Sequence, residues 1–139
     1  MVMHYLFPWR YDPPLCVIIP TKEALSRRGV SLHSSGGTLC SFCNENSEST
    51  RHLFYSCSFT YYVWQLIYNW LGITVALPII PIHHYLNHQG MMEDKNRWKV
   101  WSIILLAKIC AIWLHRNAII FNNVCPSTLQ ILDTAKVNA

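Results

Sequence analysis

Acidic side chains are scarce in this chain: seven Asp and Glu among 139 residues, against eleven Lys and Arg. They are dispersed, and no serine or cysteine converges with a histidine and an acid, so the sequence offers no constellation for general acid–base or nucleophilic catalysis. A non-enzymatic role is the expectation, with no small-molecule substrate. Charge of either sign is low at 13%, while hydrophobic residues make up 52%. A chain with so much to bury, six tryptophans and seven tyrosines included, is not a disordered one. Internal repeats and low-complexity tracts are lacking, which argues against a solenoid. A length of 139 residues allows one domain with a real core. The excess of positive charge is mild, compatible with a nucleic-acid partner without requiring one.

The first residues, MVMHYLFPWRYDPP, lack the basic-then-apolar order of a signal peptide, and prolines interrupt them early. An intracellular location, the nucleus included, is therefore expected and secretion is not. In such a reducing compartment cysteines serve more often as metal ligands or buried thiols than in disulfides. No clean membrane span is apparent either. Val63–Ile82 has the length but contains Gln65, Asn69, Gly72, Pro78 and Pro81, and Val100–Leu114 is short of the roughly 20 residues a span needs and contains Lys108. A buried helix is the expectation for the second stretch.

What is present reads as helices with one compact cluster between them. Residues 1–19 form an irregular, proline-rich arm. Thr21 can cap a helix over Lys22–Arg28 that ends at Gly29, with Glu23 in its first turn and Arg27 and Arg28 in its last. Ser58 can cap a second helix running to Leu71 and closed by Gly72. Its polar positions Ser58, Tyr62, Gln65 and Asn69 share one face, and Trp64, Ile67, Trp70 and Leu71 lie opposite. Residues 73–92 read as a connection. A long apolar helix fits Glu93–Phe121, where Arg97, Lys108 and His115 fall on one stripe with Trp101, Ile104 and Ile112. Pro126-Ser127-Thr128 starts a short final helix. Little strand pattern appears. The predicted fold is mainly α: short helices around a small Cys3His zinc-stapled loop, with one long C-terminal apolar helix. The units are the arm at 1–19, a zinc-binding domain at 20–72, the connection at 73–92 and a helical segment at 93–139.

The cluster is Cys40-x2-Cys43-x8-His52-x4-Cys57. Two residues between cysteines let the chain turn back and aim both sulfurs at one point, and the second pair must arrive from a separate piece of chain. The polar spacer NENSESTR is long enough to bring His52 round. His52 and Cys57, with four residues between them, fit one helical turn plus a little. Four ligands complete a tetrahedral shell with no corner for an activated water, so one zinc ion with a structural role is expected. Two other readings compete. A redox pair usually opens a helix after a strand, whereas Cys43 is followed by turn-forming Asn-Glu-Asn-Ser. Independent burial of three thiols fits poorly with polar Ser41, Asn44, Glu45 and Ser56 alongside. His83, His84 and His88 sit in the proline-flanked connection without a carboxylate beside them. Cys16 stands alone, Cys110 reads as a buried thiol, and Cys125 has no partner in view.

Pro20-Thr21-Lys22-Glu23-Ala24-Leu25, Arg27-Arg28-Gly29-Val30, the Cys40/Cys43 pair, Glu48-Ser49, His52-Leu53-Phe54, Cys57 and Trp64 occur in this order. This series resembles the reverse-transcriptase zinc-binding domain at the C-terminal end of plant non-LTR retrotransposon polyproteins and of genes derived from them. Trp113, Arg116-Asn117 and Phe121 resemble the helix that commonly follows it. The resemblance covers residues 20–71 well and 98–123 loosely. Phe7-Pro8-Trp9-Arg10 resembles the family's N-terminal start, but Tyr11-Asp12-Pro13-Pro14 breaks the helix expected there. The chain has neither an Asp-Asp polymerase motif nor the acidic residues of a ribonuclease H site. What the resemblance implies is zinc binding and the holding of RNA or DNA near a polymerase, with other parts of a reverse-transcriptase polyprotein as partners and no membrane. Lys22, Arg27, Arg28 and Arg51 are the candidate nucleic-acid contacts, and Tyr55, Tyr61 and Tyr62 the candidate stacking rings. The other reading is a zinc-stapled interaction or scaffold module, or a retroelement relic without function.

Overall fold

A computed structural model describes residues 19–33, 36–74 and 95–139. The arm, including Cys16, and the connection that holds His83, His84 and His88 lie outside the described residues, apart from a few residues at their edges. Four α-helices and one π-helical turn make up the described part: α1 (Lys22–Arg27), the turn (His52–Ser56), α2 (Ser58–Leu71), α3 (Lys95–Asn122) and α4 (Thr128–Asn138). Among the described residues the only β pairing is one isolated antiparallel bridge between Leu39 and Ser47. The mainly helical prediction agrees with this.

Local chemistry accounts for the helix ends. The Thr21 hydroxyl accepts from the Ala24 N–H and starts α1, while Arg28 caps its end ahead of Gly29, at φ +76°. Gly72, at φ +69°, closes α2 by donating to the Asn69 and Tyr68 carbonyls. At the start of α2 the sequence expectation needs correction. Cys57, in an extended conformation, is the N-cap, and Ser58 is the first helical residue. The preceding turn hands the chain directly to Cys57, and the Thr60 hydroxyl donates back to the Cys57 carbonyl. The Ser127 hydroxyl accepts from the Gln130 N–H at the start of α4, as its position before Thr128 predicts.

Helix α2 turns Ser58, Tyr62, Gln65 and Asn69 outward and buries Val63, Trp64, Ile67 and Tyr68. Trp70, assigned by sequence to the inner face, is nearly half exposed. It sits at the edge of the apolar stripe, where the Lys136 ammonium of α4 lies over its ring at 5.5 Å. Helix α3 is described from Lys95, two residues inside the start that the sequence predicts. Of its predicted stripe, Trp101, Lys108, Ile112 and His115 face the core and Ile104 is partly buried against it, while the side chain of Arg97 lies outside the described residues; Cys110 is only half-buried. The continuous helix carries a 24-residue stretch, Lys99–Asn122, that by length and composition alone is long and apolar enough to cross a membrane, longer than the fifteen residues read from sequence. Its inner side packs on the rest of the molecule.

One core joins the two segments that the sequence separates. Cys40, Phe42, Leu53, Phe54, Cys57, Val63 and Ile67 pack with Ala111 and Ile112 of α3 and with Ile131, Leu132 and Ala135 of α4. Beside it, ring stacking runs from Tyr55 to Trp64, Tyr68 and Trp101, with centroids 5.7–5.9 Å apart. Offset stacks of this kind add roughly 0.5–1.5 kcal/mol each beyond the area they bury. Among these rings is Lys108, fully buried, its ammonium lying over the Trp64 ring without a hydrogen-bond partner among the described residues. Burial drives the Lys108 pKa well below the ordinary lysine value, so the neutral amine is the form that this position favours.

Candidate metal centre

Two short pieces of chain present the four ligands. The first is a tight turn around Cys40-Ser41-Phe42-Cys43. The Leu39–Ser47 bridge closes it, the Cys40 N–H donates to the Asn46 carbonyl at 2.8 Å, and the Asn44 N–H donates to the Cys40 carbonyl at 2.9 Å. Asn44 takes the left-handed conformation at φ 54°, which asparagine tolerates better than most residues. The chain thus folds back and brings Cys43 beside Cys40.

The second piece is the π-helical turn. Its i+5 hydrogen bond, from the Cys57 N–H to the His52 carbonyl at 2.8 Å, sets residues five apart on one side. An ordinary α-turn would rotate Cys57 away from His52, so the wider turn supplies the extra arc that the x4 spacing requires. The Ser49 hydroxyl accepts from the His52 N–H at 3.1 Å and fixes where the turn begins. Leu53 and Phe54 point into the core and anchor it, and the Trp64 indole N–H donates to the Phe54 carbonyl at 2.9 Å.

The ligand atoms of Cys40, Cys43, His52 and Cys57 all lie within 4.8 Å of one another. The Cys40 and Cys57 sulfurs are 4.0 Å apart, and Cys43 Sγ lies 3.2 Å from His52 Nε2. A tetrahedral zinc with bonds of about 2.3 Å to sulfur sets neighbouring sulfurs roughly 3.8 Å apart, so the donor set fits one such ion. Cys40 and Cys57 are fully buried, while Cys43 and His52 are partly open. The hydrogen bond between the two buried thiols raises the Cys40 pKa, with burial adding to it, and lowers that of Cys57. Burial lowers the pKa of His52 and favours the neutral imidazole that a metal requires. These residues would hold zinc as a closed shell of three thiolates and one imidazole, and the chemistry the ion supplies there is cross-linking.

Glu48, in the middle of the polar spacer, is the residue whose role local sequence does not reveal. Its side chain is fully buried. One carboxylate oxygen accepts from the Ser41 N–H (3.1 Å) and hydroxyl (2.7 Å). The other accepts from the Lys22 N–H (3.1 Å) and from Arg116 of α3, through Nε at 3.0 Å and Nη2 at 2.5 Å. Burial alone would raise the Glu48 pKa, but Arg116, Ser41 and the Lys22 amide outweigh it and hold the carboxyl below its usual value. A separation of 68 residues hides this pair from any local pattern. Its trace in the sequence is that Glu48-Ser49 and Arg116-Asn117 both belong to the resembling segments.

The structure does not gather the four candidate nucleic-acid contacts into one exposed patch. Lys22 is buried, and its ammonium donates to the Leu39 carbonyl at 2.8 Å. Arg27, Arg28 and Arg51 are exposed, with Arg27 paired to Glu23 one turn earlier in α1. Of the candidate stacking rings, Tyr62 is exposed, whereas Tyr61 and Tyr55 are half-buried and Tyr55 stacks on Trp64. Among proteins of known family, residues 6–64 match the family described as zinc-binding in reverse transcriptase, and the match reaches back to the Phe7-Pro8-Trp9-Arg10 stretch. No curated protein and no solved structure matches the chain.

Proposed function

We propose, from the match of residues 6–64 to the family described as zinc-binding in reverse transcriptase, that the chain is a non-catalytic module in which one structural zinc ion holds a loop that contacts nucleic acid. The observation that carries the reading is the convergence of four ligand atoms within 4.8 Å at spacings suited to tetrahedral zinc. With all four corners supplied by protein, the ion braces the fold and activates no water. The nucleic-acid part rests on the family and on the exposed guanidinium groups of Arg27, Arg28 and Arg51, with Tyr62 as a ring for stacking. Lys22 drops out of that surface because its ammonium is committed to Leu39. RNA or DNA and other parts of a reverse-transcriptase polyprotein are the partners, in an intracellular setting.

The test has two arms. Metal analysis of the purified chain should find about one zinc per molecule, and Cys43→Ala or His52→Ala should lose it. Tight retention of one zinc in both variants would remove the site from these residues. Titration with single-stranded RNA and DNA over a salt series should give binding that falls steeply with salt. Neutralising Arg27, Arg28 and Arg51 together should flatten that slope by up to roughly 0.7 for each phosphate left without its guanidinium. An unchanged slope would take nucleic acid off this surface and leave the zinc assignment standing.

A further inference from the structure

Three charged side chains are buried around the metal-ligand turn. Lys22, Glu48 and Arg116 are 8%, 0% and 4% exposed. Lys22, the first residue of α1, sets its ammonium on the carbonyl of Leu39, next to Cys40. Glu48 holds the turn itself, because its Oε2 accepts from the N–H and hydroxyl of Ser41, between Cys40 and Cys43. Arg116 of α3 and the Lys22 N–H both occupy Oε1, which turns Oε2 towards Ser41. Arg116 lies beyond residue 64, the last that the family match covers.

The signs of these charges suit what a zinc ion would bring. Three thiolates and a neutral imidazole on a divalent ion form a shell that is one unit negative. Loading exchanges three thiol protons for that ion, so it makes the site one unit more negative than before. Glu48 adds a second negative charge, close enough to act on the His52 imidazole. Two uncompensated negative charges held out of water repel each other and lose hydration that a protein interior does not replace. Lys22 and Arg116 bring two positive charges to the same place, so the loaded centre and its surroundings are neutral as a group.

We propose that Lys22 and Arg116 are positioning residues of the metal centre. Lys22 acts by its charge beside Cys40, and Arg116 by its charge and by turning Glu48 onto Ser41. Tight zinc binding then draws on helix α3, outside the matched segment. The inference rests on the reading of Cys40, Cys43, His52 and Cys57 as a zinc site, and adds to it an outer layer contributed by two other helices.

The test measures zinc affinity of the full chain by competition with a chromophoric chelator, together with the absorption spectrum of cobalt(II) placed in the site. Arg116→Met should weaken zinc binding by at least roughly tenfold, the lower end of what losing an outer-layer partner costs. Arg116→Lys should recover part of that loss by restoring the charge. The cobalt bands of Arg116→Met should also shift, since the Cys40–Cys43 turn is held less firmly. Lys22→Met leaves the Glu48–Arg116 pair intact and should weaken zinc several-fold, whereas Lys22→Arg should bind as the wild type does. Ile131→Ala is the control, because it empties part of the same core without removing a charge. Relative to the thermal midpoint each variant loses, it should weaken zinc far less than Arg116→Met and leave the cobalt bands in place. Equal losses of affinity in those two, on that scale, would overturn the proposal, because Arg116 would then act through stability alone. Wild-type affinity with unshifted cobalt bands in Arg116→Met would overturn it as well. If Arg116→Met does not fold, the Lys22 variants decide, and equal affinities in Lys22→Met and Lys22→Arg would overturn the charge argument. A wild-type chain that takes up no metal would overturn the zinc reading and this inference together, whereas a wild type that loads beside an indifferent Arg116→Met overturns the inference alone.

Discussion

The Glu48–Arg116 pair is the joint between the metal-ligand loop and the C-terminal helices, and its removal has a calculable cost. Both side chains are almost completely removed from solvent, at 0% and 5% exposure. Arg116→Met keeps the length of the stem and deletes the guanidinium, leaving a buried carboxylate with only Ser41 and the Lys22 amide to satisfy it. Stranding one member of a buried pair costs about 3–5 kcal/mol. For a chain of this length that lowers the thermal midpoint by roughly 10–17 °C. Glu48→Gln strands Arg116 instead and turns an amide N–H₂ towards the Ser41 donors, so its cost should be similar. The double variant removes both charges and should cost less than the two single losses combined, by at least ~1 kcal/mol. The pH dependence has a definite sign. The folded Glu48 carboxyl sits below its unfolded value, so its stabilisation is complete above about pH 4.5 and is lost as pH falls through the folded value. Without Arg116, burial pushes that carboxyl upward, and acid unfolding of Arg116→Met should begin at higher pH than in the wild type. Thermal and acid unfolding of the zinc-loaded protein, followed by circular dichroism, read both effects. A midpoint loss under about 3 °C for Arg116→Met, with the acid transition unmoved, would refute the argument that this pair ties the two segments together.

Lys108 is the converse case, a buried amine with no hydrogen-bond partner among the described residues, and Lys108→Met should stabilise the fold by on the order of 1–3 kcal/mol in thermal unfolding. Because the folded amine has a depressed pKa, wild-type stability should rise with pH towards the unfolded value of 10.5, and the variant should lack that rise; equal slopes would show that Lys108 is not buried in solution. Chelating the metal should raise Trp64 mobility in near-ultraviolet circular dichroism, since its indole is tied to the Phe54 carbonyl inside the ligand-bearing turn. A spectrum indifferent to chelator would uncouple the turn from the metal.

Helix positions and the ligand set are legible in the sequence because both are written in local spacing. Thr21, Gly29, Gly72 and Ser127 punctuate the chain by backbone preferences that need no tertiary information, and Cys40-x2-Cys43 encodes a reversal in two residues. The π-turn is not legible as such. The x4 gap shows that His52 and Cys57 have to meet, but not that the helix widens to bring them together. Trp70 and Lys22 depart from expectation for a common reason. Periodicity gives the centre of a helix face and leaves its edges open, and a lysine's long stem allows it to point either way. Glu48 passes for part of a solvated spacer because every donor to its carboxylate lies outside that spacer, and the decisive one is 68 residues away.

The burial of the ligands themselves explains why the metal loop and the helices form one unit. A loop of some eighteen residues cannot exclude water from two cysteines on its own. Here Cys40 and Cys57 belong to one core with Ala111 and Ile112 of α3 and Ile131 and Leu132 of α4. The loop in turn gives α3 its anchor, because Glu48 can accept from Arg116 only while Ser41, next to Cys40, holds the carboxylate in place. A zinc ion joining Cys40 to Cys57 would therefore fix Ser41, Ser41 would orient Glu48, and Glu48 would hold Arg116 and the inner face of α3.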